Sequence, residues 1–355
     1  MKLPVSDGLN WAVQVGQRRM DALLALLVSR LPNLSSLILE AGAVEETHIL
    51  GMMLTAAVCK GNSHPRLPKF ERLSNVTIFP PLPGQIAFNG PREWFRQCNT
   101  ADILPFLYLP ALSSLRAQID NPHCLEWPSR TKPECLNLRS LDLTDILRRG
   151  TINDFLCEAT RLETLRWEWW FDPAANNCSG STMLAYDPEP TFDLDIISSN
   201  LGMVRTTLRS LTLSIGCDGG SDFAGLFPDL WIRGSLHSLR DFPQLRNLEV
   251  PLSFLVGFER RNGVRLEVWL PANVETLTII NDPRVVIDVY TWTAEDVLPL
   301  VEAWLQLWRT WTPLLKRVTW LLKGTDHQWG TTNLAELRRM FAVAEVALEI
   351  GKQAG

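Results

Sequence analysis

Nine times along the chain a run close to Leu-x-x-Leu-x-Leu recurs, usually just after a proline-punctuated break. The runs are Leu34-Leu37-Leu39, Leu73-Val76-Ile78, Leu112-Leu115-Ala117, Leu138-Leu141-Leu143, Leu162-Leu165-Trp167, Leu208-Leu211-Leu213, Leu245-Leu248-Val250, Val274-Leu277-Ile279 and Leu315-Val318-Trp320. The last two apolar positions of each run are two residues apart, so in a strand they point to one face. The first apolar position suits the bend that leads into the strand. A lone strand with one apolar face cannot bury it, whereas nine side by side build a continuous core.

This pattern predicts an α/β fold, an irregular leucine-rich-repeat solenoid with a curved parallel sheet and helices on its convex side. The first positions are separated by 39, 39, 26, 24, 46, 37, 29 and 41 residues. Regular repeats of this class run about 20–29 residues, so most intervals carry insertions. The Asn or Cys expected five residues after each second position is missing throughout; Gly42, Pro81, Asp120, Ile146, Trp170, Gly216, Ser253, Asp282 and Lys323 stand there. The turn groups that such a ladder would satisfy must find other partners.

Helical spacing appears between the strands. Met20, Leu23, Leu24, Leu27 and Leu31 give one apolar stripe ended by Pro32. Val297, Leu300, Trp304, Trp308 and Trp311 give another, opened by Thr293 with Asp296 three residues on. Leu334, Leu337, Phe341, Ala344 and Leu348 give a third. The predicted layout is one solenoid over 1–355, with a helical cap at 1–31, about nine repeats over 32–323 and a capping helix over 331–352.

Composition narrows the function. Net charge −5 argues against a nucleic-acid or anionic-membrane surface. The longest apolar stretch is Ala22 to Val28, which disfavours membrane spanning and secretion. Seven cysteines without C-x-x-C spacing suit reduced thiols, and so a cytoplasmic or nuclear protein.

In this architecture the residues alternating with the core leucines form the concave face. They are mostly short hydroxyl side chains, with a charged strip of Arg116, Asp142, Arg166 and Glu168 near the middle. The plain alternative is a solvated sheet surface with cross-strand pairs. Because the strands are parallel, the long segments that follow them emerge at one edge, over 80–98, 119–135, 171–190, 216–227 and 281–293. Tryptophans lie in or beside these segments, and Trp94, Trp127, Trp169 and Trp170 are candidate contacts on the loop rim. They serve equally well as pins that hold their loops to the body.

Catalytic and metal chemistry finds little support. His123, Cys124 and Cys135 lack a fourth ligand at a zinc spacing. The glycines at 216, 219, 220 and 225 lack the Lys-Ser/Thr of a phosphate loop. Asp187, Glu189, Asp193 and Asp195 could hold a cation, but a helix start explains the latter pair more simply. The expectation is a non-enzyme without cofactor or metal.

The stretch Gly234-Ser-Leu-His-Ser-Leu-Arg-Asp-Phe-Pro-Gln-Leu-Arg-Asn-Leu-Glu-Val-Pro251 is the most distinctive in the chain. Leu255-Val-Gly257 and Trp269-Leu-Pro-Ala-Asn-Val-Glu-Thr-Leu-Thr-Ile279 follow it. This order resembles the leucine-rich portion of filamentous-fungal F-box proteins, and Leu31 to Leu39 and Leu104 to Leu115 look similar too. In that family the repeats capture a target, while an N-terminal F-box docks on Skp1 within a cullin-type ubiquitin ligase. The resemblance implies a protein-binding, substrate-recognition module. Residues 1–30 hold only Met1-Lys-Leu-Pro4 and one amphipathic helix, so no residue carries over as a Skp1 contact. Two other readings stay open: an interaction scaffold independent of ubiquitin, and an enzyme with its site in the rim loops.

Overall fold

In the computed structural model each of the nine runs begins with a turn of the same kind. The amide of the first residue donates to the carbonyl three residues back: Leu34 to Leu31, Leu73 to Phe70, Leu112 to Leu109, Leu138 to Cys135, Leu162 to Ala159, Leu245 to Phe242, Val274 to Pro271 and Leu315 to Thr312, at 3.0–3.4 Å. Leu208 reaches one residue further, to Val204, at 2.9 Å. The structure describes residues 5–39, 47–59, 67–78, 100–119, 125–146, 152–171, 191–217, 231–257, 265–281, 292–323 and 329–353. The chain divides into two compact units, 1–162 and 163–355.

In the first unit β1 (Ser36–Leu39), β2 (Asn75–Ile78), β3 (Ser114–Gln118) and β4 (Ser140–Ile146) pair in parallel in chain order. The register sets Leu37, Val76, Leu115 and Leu141 side by side, then Leu39, Ile78, Ala117 and Leu143. The second unit holds β5 (Thr164–Phe171), β6 (Thr191–Asp193), β7 (Ser210–Cys217), β8 (Trp231–Arg233), β9 (Asn247–Pro251), β10 (Thr276–Asn281), β11 (Arg317–Lys323) and β12 (Ala347–Gln353). Strands β5, β7, β9, β10, β11 and β12 pair in parallel in that order, and β6 and β8 form a separate parallel pair. Leu165, Leu211, Leu248, Leu277 and Val318 align across the ladder as the run positions require. The fold is mixed α/β with parallel strands throughout the described sheets.

Burial follows the runs. Leu115, Leu141, Leu165, Leu211, Leu277 and Val318 are completely buried. In every run but the first, where Leu31 is exposed, one further position belongs to the core, the residue whose carbonyl closes the turn. Phe70, Leu109, Cys135, Ala159, Val204, Phe242 and Thr312 are all buried there. Their chemistry varies too much to show as a pattern along the chain.

At the strand starts the backbone pairs with itself across neighbouring strands. The carbonyl just before a strand accepts two amides from the start of the next strand. Ser35 takes Ser74 and Asn75, Ser74 takes Ser113 and Ser114, and Ser113 takes Arg139 and Ser140. In the second unit Glu163, Arg209, Arg246 and Glu275 each do the same for the next paired strand, at 2.7–3.3 Å. At two turns a side chain adds a tie: Asn137 Nδ2 donates to the Pro110 carbonyl at 2.8 Å, and Asn273 Nδ2 to that of Pro243 at 2.6 Å.

The helical segments match the predicted places, with two corrections. The N-terminal cap is a pair, α1 (Val5–Gly16) and α2 (Met20–Val28), pinned by the Trp11 indole donating to the Ala22 carbonyl at 3.0 Å. The buried face of α2 is Asp21, Ala22, Ala25 and Val28, so the apolar stripe read from the sequence is not its packing face. The small alanines permit close packing against α3 (His48–Leu54). In the first unit α4 (Thr100–Ile103) and α5 (Asn153–Leu156) follow; in the second come α6 (Leu194–Leu201), α7 (Leu252–Val256), α8 (Ala294–Trp311) and α9 (Thr331–Val343).

Helix α8 opens as expected. The Thr293 amide donates to Asp296 Oδ2 at 3.1 Å, and the helix buries Val297, Val301 and Trp304. The capping helix predicted over 331–352 instead ends at Val343. Glu345 turns the chain with φ 58, and Ala347–Gln353 form β12, a strand beyond the nine predicted. Leu348 and Ile350 lie beside Val318 and Trp320, so they occupy run positions rather than a helix face.

Leu277→Ala is expected to destabilise the protein by about 2–5 kcal/mol, through lost burial and the cavity left behind. Asn273→Ala should cost only about 1 kcal/mol, the net worth of one hydrogen bond. Urea denaturation of both variants measures the contrast, and equal losses would contradict this account of the core.

Candidate partner-binding surface

Strand alternation sends every second residue away from the buried leucines. In the first unit this outer face carries Ser36, Ile38, Asn75, Thr77, Ser114, Arg116, Ser140 and Asp142. Arg116 and Asp142 are direct cross-strand neighbours, and Arg116 Nε lies 3.1 Å from Asp142 Oδ2. Their side chains are 45% and 21% exposed, a pair that solvent still reaches. In the second unit Arg166 and Glu168 sit two apart on one face of β5, with Nη2 donating to Oε2 at 3.0 Å. Surface pairs of this kind contribute about 0–1 kcal/mol, so a partner can compete for them at little cost. Arg166 and Glu168 form one contact and Arg116 and Asp142 another.

The tryptophans divide. Trp169 is 3% exposed and packs against Trp167 with ring centroids 6.0 Å apart. It is therefore a core residue and not a rim contact. The cause is strand length: β5 continues to Phe171, and Trp169 keeps the parity of Leu165 and Trp167. Trp127 is half-buried between Tyr108 and Phe155, with edge-on rings at 6.4 Å from each. The Tyr108 hydroxyl donates to the Thr131 carbonyl at 2.8 Å, tying down the same segment. Trp127 thus anchors its loop and still presents part of its ring. Trp170 lies within β5, but its side chain is outside the described residues, as is Trp94. Most of the predicted rim, at 79–99, 120–124, 172–190, 218–230 and 282–291, is outside them too.

Beside the outer face runs a charge ladder that the sequence reading missed. Residues just before the strands pair across it. Arg209 Nη1 lies 3.7 Å from Glu163, while Glu275 bridges Arg246 at 3.1 Å and Lys316 at 2.5 Å. The hydrogen bond from Lys316 holds the Glu275 carboxyl below the ordinary carboxylate range, against a desolvation cost. The signal was present: these residues occupy the same position relative to each run.

The other predicted chemical groups are structural where they are described. Asp193 caps α6, accepting the amides of Asp195 and Ile196 at 3.0 and 3.2 Å. Asp195 accepts the Ser235 amide at 3.2 Å, beside Gly234, whose φ of 77 would strain any residue with a side chain and whose Cβ position the Asp195 carboxylate crowds. Burial pushes the Cys135 thiol up to about 12, so it holds almost no thiolate at neutral pH. His123, Cys124, Asp187 and Glu189 lie outside the described residues. Among the described residues no group of three or more His, Cys, Asp or Glu could hold a metal ion, and no helix is long and apolar enough to cross a membrane.

A second polar cluster knots helices of the first unit. Asp21 accepts the Ile49 and Leu50 amides at 2.6 and 3.1 Å, satisfying the free donors at the start of α3. Asp102, from α4, meets His48 Nδ1 at 3.2 Å and the Thr47 hydroxyl at 3.4 Å. Gly51 is required where α3 meets α4, since a Cβ there would fall 2.6 Å from Asp102 Cα. No family model, curated protein or solved structure matches the chain.

Burial raises the Asp102 carboxyl above its ordinary value of 3.8, against the opposing charge of His48. The folded state then holds that proton more tightly than the unfolded chain. Its contribution to stability is complete below the unfolded value and is lost as pH rises through the folded one. Asp102→Asn removes this dependence, so between about pH 4 and about pH 7 the urea midpoint of the variant should gain on that of the parent. Parallel pH profiles would contradict the assignment.

Proposed function

We propose that the chain is a non-catalytic leucine-rich-repeat module that holds a protein target on the outer face of its strands. The observation that carries this reading is the display of Arg116 and Arg166. Each is nearly half exposed, stands on a hydrogen-bonded strand and is paired with a carboxylate on the same face. Arginine so placed makes forked, charge-assisted hydrogen bonds to carboxylates and carbonyls. Strands fix such side chains better than loops do, which lowers the ordering cost of association.

The surrounding Ser, Thr and Asn side chains give a polar face that a folded protein or an extended peptide can hydrogen-bond. Resemblance of the repeats to those of fungal F-box proteins supports assigning the module to substrate recognition for a ubiquitin ligase. The contact residues are Arg116 and Asp142, with Trp127, in the first unit and, as a separate set, Arg166 and Glu168 in the second. Trp94 and Trp170 are further candidate contacts outside the described side chains.

The test is affinity capture with the tagged full chain expressed in a filamentous fungus. Arg116→Ala and Arg166→Ala should each weaken target capture on the order of tenfold. Their thermal midpoints should stay close to the parent's, because surface substitutions rarely matter for stability. Unchanged capture, or a large loss of stability, would remove these residues from the contact set. Recovery of Skp1 and a cullin with the target would support the ubiquitin role, whereas a target without them would leave a ubiquitin-independent scaffold.

A further inference from the structure

Two buried carboxylates converge on the start of α3 from different helices. Asp21, on α2, is 5% exposed and accepts the Ile49 and Leu50 amides. Asp102, on α4, is 9% exposed and meets His48 Nδ1 and the Thr47 hydroxyl. The helix start therefore serves the two acids unequally. Asp21 takes backbone donors, which do not titrate, whereas Asp102 takes a histidine, which does.

The backbone holds Asp102 where it is. At Gly51 the two helices approach so closely that a Cβ would fall 2.6 Å from Asp102 Cα. Ile103 and Leu104, which follow Asp102, are buried and anchor α4 in the core. His48 is different: its side chain is 66% exposed, so the ring exchanges protons with solvent while it faces a buried acid. The charges that act on Asp102 are His48, opposite when protonated, and Asp21, which is like.

One proton decides the charge of the His48–Asp102 pair. With it, the pair is imidazolium and carboxylate or imidazole and carboxylic acid, neutral either way and hydrogen-bonded across 3.2 Å. Without it, a second buried carboxylate stands beside that of Asp21, at the cost of desolvation and like-charge repulsion.

We infer that His48 and Asp102 share one proton as a latch that fastens α4 to the start of α3, and that loss of this proton as pH rises loosens α4 before the rest of the first unit opens. The closed latch binds the proton more tightly than the open one. Closure is therefore complete at low pH and weakens as pH rises through the closed-state value, by at most about tenfold per pH unit for one proton. The latch lies in the helical layer and does not depend on what the outer strand face binds.

The test is amide hydrogen exchange of the full chain, followed by mass spectrometry from about pH 5 to about pH 8 and corrected for the intrinsic rate. Opening over 100–108 should increase with pH within the single-proton limit, while opening over β4 in the same unit stays level. Asp102→Asn, which does not titrate, should flatten the profile over 100–108. His48→Gln, a change at an exposed side chain that leaves the fold intact, should raise opening there several-fold at the acid end, where the imidazolium is lost. A flat parent profile, a slope steeper than the single-proton limit, or a rise shared by every segment of the first unit would overturn the inference. So would a slope that survives in Asp102→Asn, or opening at the acid end that His48→Gln leaves unchanged.

Discussion

The rest of the structure depends on the pair of hydrogen bonds that seven pre-strand carbonyls, from Ser35 to Glu275, each accept from the next strand. A stacked sheet of short strands has a problem at every strand start, where the chain arrives from a turn with unpaired amides. Buried backbone donors left unpaired cost as much as a lost hydrogen bond each. Here one carbonyl takes both amides, so the ladder begins before the strand does. That fixes register: Leu37 must sit beside Val76, and Leu165 beside Leu211, or the pair of bonds is lost. A slip of one residue would also turn each leucine to solvent.

With register fixed, both faces of each sheet follow. Leucines two apart stack into an apolar layer, and the turn-closing residue before every run but the first is buried with it. The intervening residues form the opposite face, where Arg116 meets Asp142 and the pre-strand residues Glu163, Arg209, Arg246, Glu275 and Lys316 pair along one side. These surface contacts add little to stability individually. Their role in the account is to hold charged side chains in a defined pattern on a rigid support.

Much of this was legible in the chain. The two-residue spacing of Leu141 and Leu143, or Leu277 and Ile279, identifies strands and their buried face directly. The Thr293–Asp296 box marks a helix start by local chemistry alone. Other features needed three dimensions. Helix α2 is apolar on most of its circumference, so composition cannot say which side packs, and the small side Ala22–Ala25 wins by allowing close approach. Leu348 fits both a helical stripe and a strand, and only the left-handed turn at Glu345 decides for the strand. Trp169 lies just past its run, and nothing in the sequence says that β5 continues through it. Of the proposed contacts, Arg116, Asp142, Arg166 and Glu168 were readable from alternation, whereas the cluster of Asp21, Thr47, His48 and Asp102 draws residues from distant segments with no shared spacing.

The measurement that tests the central claim most directly is amide hydrogen exchange resolved to single residues. The claim is that the doubled hydrogen bond at these strand starts sets the register of the sheets. The amides of Ser74, Ser113, Arg139, Arg209, Arg246, Glu275 and Lys316 should therefore be protected as strongly as those inside the strands that follow them. Exchange at these amides as fast as in open loops, with the strands themselves protected, would contradict it.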